Sequence, residues 1–463
     1  MKKIAIIGGG AAGLAAAIAA GNELAWLGAA NECEIVLFEA DPERVGRSIL
    51  ATGNGRCNFS NAHIDPACYR NADFVESALR SLARLSEVSE WGSVQPVGAY
   101  GASAQGSAQP AGAFEAPGWE STQSASVFEA PVQRFFSDLG LMWREEGEGR
   151  MYPAANKASS VLDVLRAALD VSGARVEFGK SLCAIELPAK GKTRFHLRFS
   201  DGSIAHAEKV VLAVGGRGVS AVDTSSVIPC ELTRPVLGPL ATDSRITRQL
   251  NNIRVKCAVS LERSGSLVAR EEGELLFRDY GVSGVCVFNL SRFACEGDVL
   301  SIDFLPHMPA ADRDAWLFAR RKHLSARLGE NGQIAAEDVL RGAMLPQVAQ
   351  VLCKCAGIDS ARPLSKKDVI ALSRVIGGLR LTVRGIGDAK QCQVSRGGLS
   401  IAAFDPQTMG AVRASGLFAA GEALDVDAPC GGYNLHWAWS SGLLAGVSAA
   451  RSAVSADGEG EGE

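Results

Sequence analysis

The sequence lacks a Cys-x-x-Cys pair; among its 12 cysteines the nearest spacing is Cys353-Lys354-Cys355. Zinc ribbons and thioredoxin-like dithiol centres are therefore not expected, and no metal site is assigned. Twelve irregularly spaced cysteines in 463 residues do not make a disulfide framework either, and a reducing, cytoplasmic compartment is the expectation. Positive charge is not in excess. The chain carries 47 Lys and Arg against 51 Asp and Glu, a net charge of −4 without basic runs, so nucleic acid is not an expected partner. No uncharged apolar run of membrane-spanning length is free of glycine, so no membrane association is expected. Lys and Arg are wholly absent from residues 92–126, where Gly, Ala, Ser, Gln and Pro dominate and Phe114-Glu115-Ala116-Pro117 recurs as Phe128-Glu129-Ala130-Pro131. That composition cannot support a packed core, and the stretch reads as a low-complexity insertion. What remains is 47% hydrophobic, an ordinary globular chain long enough for about three domains.

The informative residues begin at the N-terminus. Ile4 to Ile7 is a short apolar run that reads as a buried parallel strand. Gly8, Gly10 and Gly13 follow in G-x-G-x-x-G spacing, and Leu14 to Ala20 is an alanine-rich helix former. The three glycines serve different ends. Gly8 turns out of the strand, Gly10 leaves room for a pyrophosphate, and Gly13 lets the helix pack close to the sheet. A second strand, Glu34 to Phe38, ends at Glu39, 26 residues after Gly13. A carboxylate there holds ribose hydroxyls and disfavours the extra phosphate of NADP. Together these features predict an adenine dinucleotide site. The alternative is a signal peptide, since Lys2 and Lys3 precede an uncharged small-residue stretch. Five glycines by Gly21 and the placement of Glu39 argue against it.

Residues 47–61 are dense in Gly, Asn and Ser and carry Arg47 and Arg56. This reads as a loop of backbone and side-chain donors facing a pyrophosphate or a flavin. Three short strands over 181–187, 193–199 and 203–207 lead into an apolar strand ending at Gly215-Gly216. FAD-binding Rossmann domains contain such a meander and NAD domains do not need one, so FAD is the expected cofactor. From about residue 227 the pattern turns β-rich, and from 309 to 376 it turns helical. The chain then returns through Gly416–Glu422, a glycine loop at Gly431-Gly432, and a helix over 435–450. Amides at that helix start suit the negative charge of reduced flavin near N1 and O2. The tail from Ser455 is acidic and is expected to be disordered.

Gly-Asn-Gly-Arg-Cys-Asn at 53–58, Gly421-Glu422 and the run from Asp425 to Gly442 resemble the YhiN/BaiN-like NAD(P)/FAD-dependent oxidoreductases, some of which are aminoacetone oxidase-like. The resemblance implies an α/β fold: a three-layer FAD-binding Rossmann-type domain, glutathione-reductase-like, with inserted β-rich and helical subdomains. The expected boundaries are 1–226 and 386–463 for the FAD domain, 227–308 and 377–385 for the β-rich domain, and 309–376 for the helical one. One branch of the family reduces conjugated double bonds of 3-oxo bile acids. This chain departs from the pattern at His436, where glutamine is expected, and in the 92–126 insertion.

The residues expected to meet FAD are Gly8, Gly10, Ala12 and Gly13; Glu39 and Arg47; Thr52, Gly53, Asn54, Gly55, Arg56, Cys57 and Asn58; Cys183, Ala213 and Gly215; and Gly421, Glu422, Gly431, Gly432, Tyr433 and Asn434. No second strand-linked G-x-G-x-x-G occurs, because Gly385-Ile386-Gly387-Asp388 lacks the third glycine. NADH or NADPH would then visit the flavin face and leave. For chemistry, Arg56 can polarise a carbonyl, and Tyr433 or His436 can deliver a proton. Each also has a bland alternative: phosphate binding for Arg56, packing on the flavin for Tyr433, a structural role in a helix for His436. Three functions stay open: reduction of an activated C=C bond in a small molecule, oxidation of a small amine or alcohol, and an RNA-associated flavoprotein. Neutral charge weighs against the third. The oligomeric state is not readable.

Overall fold

A computed structural model of the chain describes residues 1–88, 127–188, 193–225, 227–328, 334–358 and 364–455. The 92–126 insertion and the acidic tail after Ser455 lie outside the described residues. The chain forms two compact units, Met1–Thr233 with Gly397–Glu463, and Arg234–Arg396. Among the described residues no helix is long and apolar enough to cross a membrane.

The first unit is built on a five-stranded parallel sheet. Its strands are β1 (Lys2–Ile7), β2 (Cys33–Phe38), β3 (Arg175–Glu177), β4 (Lys209–Leu212) and β5 (Leu417–Ala419), in the order β5-β4-β1-β2-β3. Ile4 pairs with Lys209 on one side and Ile35 on the other. Ile4 through Ile7 are buried, which is why an unbroken apolar run rather than an alternating one marks this strand.

Helix α1 (Ala11–Trp26) follows β1. It packs against the long C-terminal helix α2 (Tyr433–Ser455). Their approach depends on small residues. A Cβ on Gly442 or Gly446 would lie 2.3 Å from the Ala12 or Ala16 carbonyl oxygen respectively. Any side chain there would push the helices apart, so the alanine run of α1 and the glycines of α2 together set the spacing.

Between β3 and β4 runs an antiparallel meander, Leu182–Glu186, Phe195–Phe199 and Ile204–Ala207. Phe195, Leu197 and Phe199 point inward while Arg198 is exposed, the two-residue period of a half-buried strand. Phe199 meets Phe38 of β2 with ring centroids 4.8 Å apart.

The second unit is a closed barrel. Its strand order is Leu240–Thr242, Gly281–Ser283, Ser266–Arg278, Arg254–Arg263, Val299–Asp303 and Leu379–Ile386. The ring closes where Leu240 pairs with Ile386. Four helices, Ala310–Leu328, Ala336–Leu340, Pro346–Cys355 and Lys366–Ile376, lie in sequence between the last two strands. Their apolar positions join the barrel residues in one buried cluster that includes Leu317, Val339, Leu352 and Leu372. The fold is thus α/β with a Rossmann-type sheet and an additional β unit bearing helices.

Two local readings change. Residues 47–61 hold regular structure: a one-turn helix at Arg47–Ala51 and a tight turn at Thr52–Gly55. Within the stretch expected to be helical from 309 to 376, the helix begun at Ala336 stops at Leu340, because Gly342 takes a φ of 82° and Pro346 starts the next helix.

Candidate functional site: a dinucleotide cradle in the first unit

The three fingerprint glycines are required for different reasons. Gly8 has a φ of 103°, and a Cβ on it would lie 2.5 Å from the Ala213 carbonyl oxygen. One on Gly13 would lie 1.8 Å from the Gly8 carbonyl oxygen. The fold itself demands these two. Gly10 differs. Its φ is −79°, open to any residue, and the nearest atom to a Cβ there is Ser48 Oγ at 3.5 Å. Nothing in the protein forbids a side chain at Gly10, so a ligand approaching the backbone there is the remaining physical reason for glycine.

Helix α1 starts beside Gly10 with no side-chain cap and no acid in its first turn. The first amides of a helix need partners, and its positive end favours an anion. At the end of β2, Glu39 Oε2 accepts the Gly9 amide at 2.6 Å and Oε1 accepts that of Asp41 at 2.7 Å. Lys180 N donates to the Glu39 carbonyl at 2.8 Å, bringing the meander alongside. Arg47 is exposed and reaches Asp41 at 3.3 Å. Cys183 is an exposed meander residue, and its carbonyl accepts the Asp223 amide at 2.8 Å. Ala213 N donates to Ile7 O at 2.9 Å, and Gly215 opens a short helix with a φ of 70°.

The last motif meets the first. A Cβ on Gly421 would lie 2.8 Å from Ala12 Cβ, so Gly421 and Glu422 stand beside the opening turn of α1. Gly421 N donates to Ser441 Oγ at 2.8 Å. Gly431 and Gly432, both with positive φ, precede the first turn of α2, which has no acid. A Cβ on Gly432 would strike the Ser60 carbonyl oxygen at 2.2 Å. The 53–61 stretch and the 431–434 stretch are therefore packed on each other.

Several side chains expected to face a ligand are instead committed to the scaffold. Thr52 Oγ1 donates to Ile49 O at 2.6 Å. Asn58 Oδ1 accepts the Met151 amide at 3.1 Å. Asn434 closes its own loop, accepting from Ala428 N and donating to Ala428 O, both at 2.9 Å. Positive φ at Gly53, Asn54, Gly55 and Cys57 shapes the turn. The Cys57 thiol is fully buried, and burial pushes its pKa up to about 11 against a hydrogen bond to Thr52. It is inert rather than reactive.

Arg56 bonds to Glu146 and Asn156 and lies over the Tyr152 ring at 3.9 Å. The hydrogen bond from Arg56 holds the Glu146 carboxyl below its usual range. Tyr433 Oη donates to His63 O at 2.9 Å. Burial, with the nearby Cys68 and Asp65, pushes its phenol up to about 12. His436 is fully buried with Nδ1 2.9 Å from Ser60 Oγ. Burial lowers its pKa to about 3, opposed by the Phe128 backbone. The ring is therefore neutral at neutral pH and is not an imidazolium acid.

Three residues that no motif singles out also shape the site. Asn61, Tyr69 and Arg70 all bind the 425–434 loop. Asn61 lies within the donor-rich 47–61 stretch, whereas Tyr69 and Arg70 carry no local signal.

The chain that builds this cradle has recognisable relatives. A family model described as HI0933-like protein Rossmann domain matches residues 123–448. A 3-dehydro-bile acid delta(4,6)-reductase of Clostridium scindens is 28% identical, covering 97% of this chain and 99% of that one. A ribosomal RNA dihydrouridine synthase of Escherichia coli is 25% identical, covering 94% and 95%. Among solved structures, a 3-ketosteroid-delta4-(5alpha)-dehydrogenase from Rhodococcus jostii matches with a TM-score of 0.40 at 13% identity, over 97% of each chain.

Proposed function

The chain belongs to the HI0933-like Rossmann-domain family of FAD-dependent oxidoreductases, and from that premise we propose that it uses NADH or NADPH to reduce a carbon–carbon double bond conjugated to a carbonyl. The observation that carries the reaction class is an agreement between relatives of different name. A delta(4,6)-reductase is named for saturating a double bond. A dihydrouridine synthase is named for a product in which the uracil C5–C6 bond, conjugated to a carbonyl, is saturated. Both changes add two hydrogens to an electron-poor alkene.

Gly10, the uncapped start of α1, Glu39 and the Gly431-Gly432 amides would hold FAD. The chemistry a bound FAD supplies is hydride transfer from a nicotinamide to the β-carbon of such an alkene. The protein's part is position and charge. Arg56, its guanidinium fixed by Glu146, Asn156 and Tyr152, would polarise the substrate carbonyl as negative charge builds on its oxygen. Tyr433 keeps its proton across the neutral range and would deliver it to the α-carbon. His436 is set aside as an acid and supports the start of α2. The substrate is proposed to be a small enone, 3-oxo bile-acid-like or steroid-like.

A second substrate, a uracil ring within RNA, is favoured by one observation. Residues 234–396 carry 24 Lys and Arg against 17 Asp and Glu, a net charge of +7 within a chain of net −4. Whole-chain charge hides this segregation, and a basic unit is what polyanion binding uses.

Anaerobic mixing with NADH and NADPH, followed by reoxidation against enones and unmodified ribosomal RNA, tests the reading. Bleaching of the flavin by a nicotinamide and reoxidation by an enone is the expected result. Rapid reoxidation by oxygen with peroxide release points instead to oxidation of a small amine or alcohol. Failure of both nicotinamides to reduce the flavin ends the donor assignment.

A further inference from the structure

Residues 58–71 and 425–436 lock together although they are far apart in the chain. Arg70 Nε donates to both carboxylate oxygens of Asp425, at 2.9 and 2.8 Å. Asn71 Nδ2 donates to Asp425 O at 2.6 Å, and Arg70 N to Asp427 O at 2.8 Å. Asp425 Oδ1 also accepts the Gly397 amide at 2.8 Å. The far end of the loop is held separately. Asn61 Nδ2 donates to Gly431 O at 2.9 Å and Tyr69 Oη to Tyr433 O at 2.8 Å. Gly431 is held through its carbonyl and Gly432 lies between it and Tyr433; neither glycine has a side chain of its own to fix its amide. Asp425 is 5% exposed, so its charge is desolvated and its partner is not optional.

We propose that Asp425, acting through Arg70, is a positioning residue: the pair fixes the Gly431 and Gly432 amides at the start of α2 and so sets the reduction potential of FAD bound there. The proposal rests on the FAD reading above. Preorganised amides stabilise the anionic reduced form more than the oxidised form. Loosening the loop removes that preference. The two side chains differ in sign, which separates geometry from plain charge. Asp425→Asn removes a negative charge, and direct electrostatics alone would raise the potential. Arg70→Gln removes a positive charge and would lower it. Loss of positioning lowers it in both.

The test is the midpoint potential of the bound flavin in the wild type, Asp425→Asn, Arg70→Gln and Arg70→Lys, by anaerobic titration beside a reference dye. FAD dissociation constants and the melting temperature of each apoprotein accompany it. The expected result is a fall in both Asp425→Asn and Arg70→Gln, by about tenfold in the ratio of reduced to oxidised binding, which is about 30 mV for a two-electron couple. Arg70→Lys, which keeps a charge but loses the planar guanidinium whose Nε bonds both Asp425 oxygens, is expected to fall between wild type and Arg70→Gln. Opposite shifts in the two charge variants overturn the positioning role. Unchanged potentials with lowered melting temperatures overturn it too, leaving a structural pair. A wild type that takes up no FAD sinks the FAD reading itself, and the wild-type control reports that separately.

Discussion

His436 Nδ1 stands 2.9 Å from Ser60 Oγ across 376 positions of sequence. The contact ties the first turn of α2 to the stretch that follows the Gly-Asn-Gly-Arg turn. It also places a titratable ring wholly inside the protein, with no exposed surface.

That ring makes stability depend on pH with a definite sign. The folded pKa is lowered to about 3, while an unfolded histidine titrates near 6.5. Below about pH 6.5 the unfolded chain takes up a proton that the folded chain refuses, so stability falls as pH falls toward 3 and is unaffected above 6.5. His436→Gln keeps a hydrogen-bonding side chain beside Ser60 and does not titrate. Urea unfolding at pH 7 and pH 5 is expected to show the wild type losing about 2 kcal/mol more than the variant between them. Equal losses in the two proteins would show that His436 is not the group responsible.

The fingerprint glycines divide by consequence. Gly13→Ala puts a methyl 1.8 Å from the Gly8 carbonyl oxygen, and insoluble or unfolded protein is expected. Gly10→Val meets no protein atom at its Cβ closer than 3.5 Å. Its apoprotein is expected to melt within about 1 °C of wild type, a shift of about 1 kcal/mol or less for a chain this long, yet to purify without flavin absorbance. Full flavin content in Gly10→Val would refute the pyrophosphate placement.

The parts legible in the sequence are those where one short stretch carries the whole requirement. Gly8, Gly10, Gly13 and Glu39 are such a pattern, because strand, turn and helix are contiguous. The alternation in Phe195, Leu197 and Phe199 likewise announces a strand. It does not announce a neighbour. Closure of the barrel depends on Leu240 finding Ile386, and nothing local to either residue encodes the other. The same holds at the site. Arg70 and Asp425 are 355 positions apart, and in the sequence each alone reads as an ordinary charged residue. Asn58 and Asn434 show the opposite failure. Their type suggests ligand donors, but the backbone around them consumes their hydrogen bonds first.

Cys57 offers a simple check on that site. Its thiol is buried and raised to about 11, whereas Cys183, Cys230, Cys295 and Cys355 are exposed. Thiol labelling at pH 8 in native conditions is expected to modify exposed cysteines within minutes and to leave Cys57 untouched until denaturant is added. Peptide mapping reads this directly. Early modification of Cys57 would mean that the 52–58 turn opens, and would make the thiol a candidate reacting group.

Arg56 and Tyr433 carry the catalytic proposal, and the two half-reactions separate their roles from binding. Reduction of the flavin by a nicotinamide needs neither a carbonyl clamp nor an acid for carbon. Reduction of an enone needs both. Arg56→Lys keeps the charge but gives up the planar fork shared between Glu146 and Asn156 and the stacking on Tyr152. Tyr433→Phe removes the phenol proton and the bond to the His63 carbonyl. In stopped-flow mixing, each variant is expected to slow substrate reduction by about tenfold or more, within the range that positioned acids and charge-stabilising donors contribute. Flavin reduction is expected to change less than about twofold. The pH dependence adds a second readout. Burial pushes the Tyr433 phenol up to about 12, so the substrate half-reaction of the wild type is expected to stay flat from pH 6 to 9. Equal slowing of both half-reactions would mean that the substitutions disturbed FAD rather than the substrate. If neither half-reaction changed in either variant, the carbonyl clamp and the proton donor would have to be other residues.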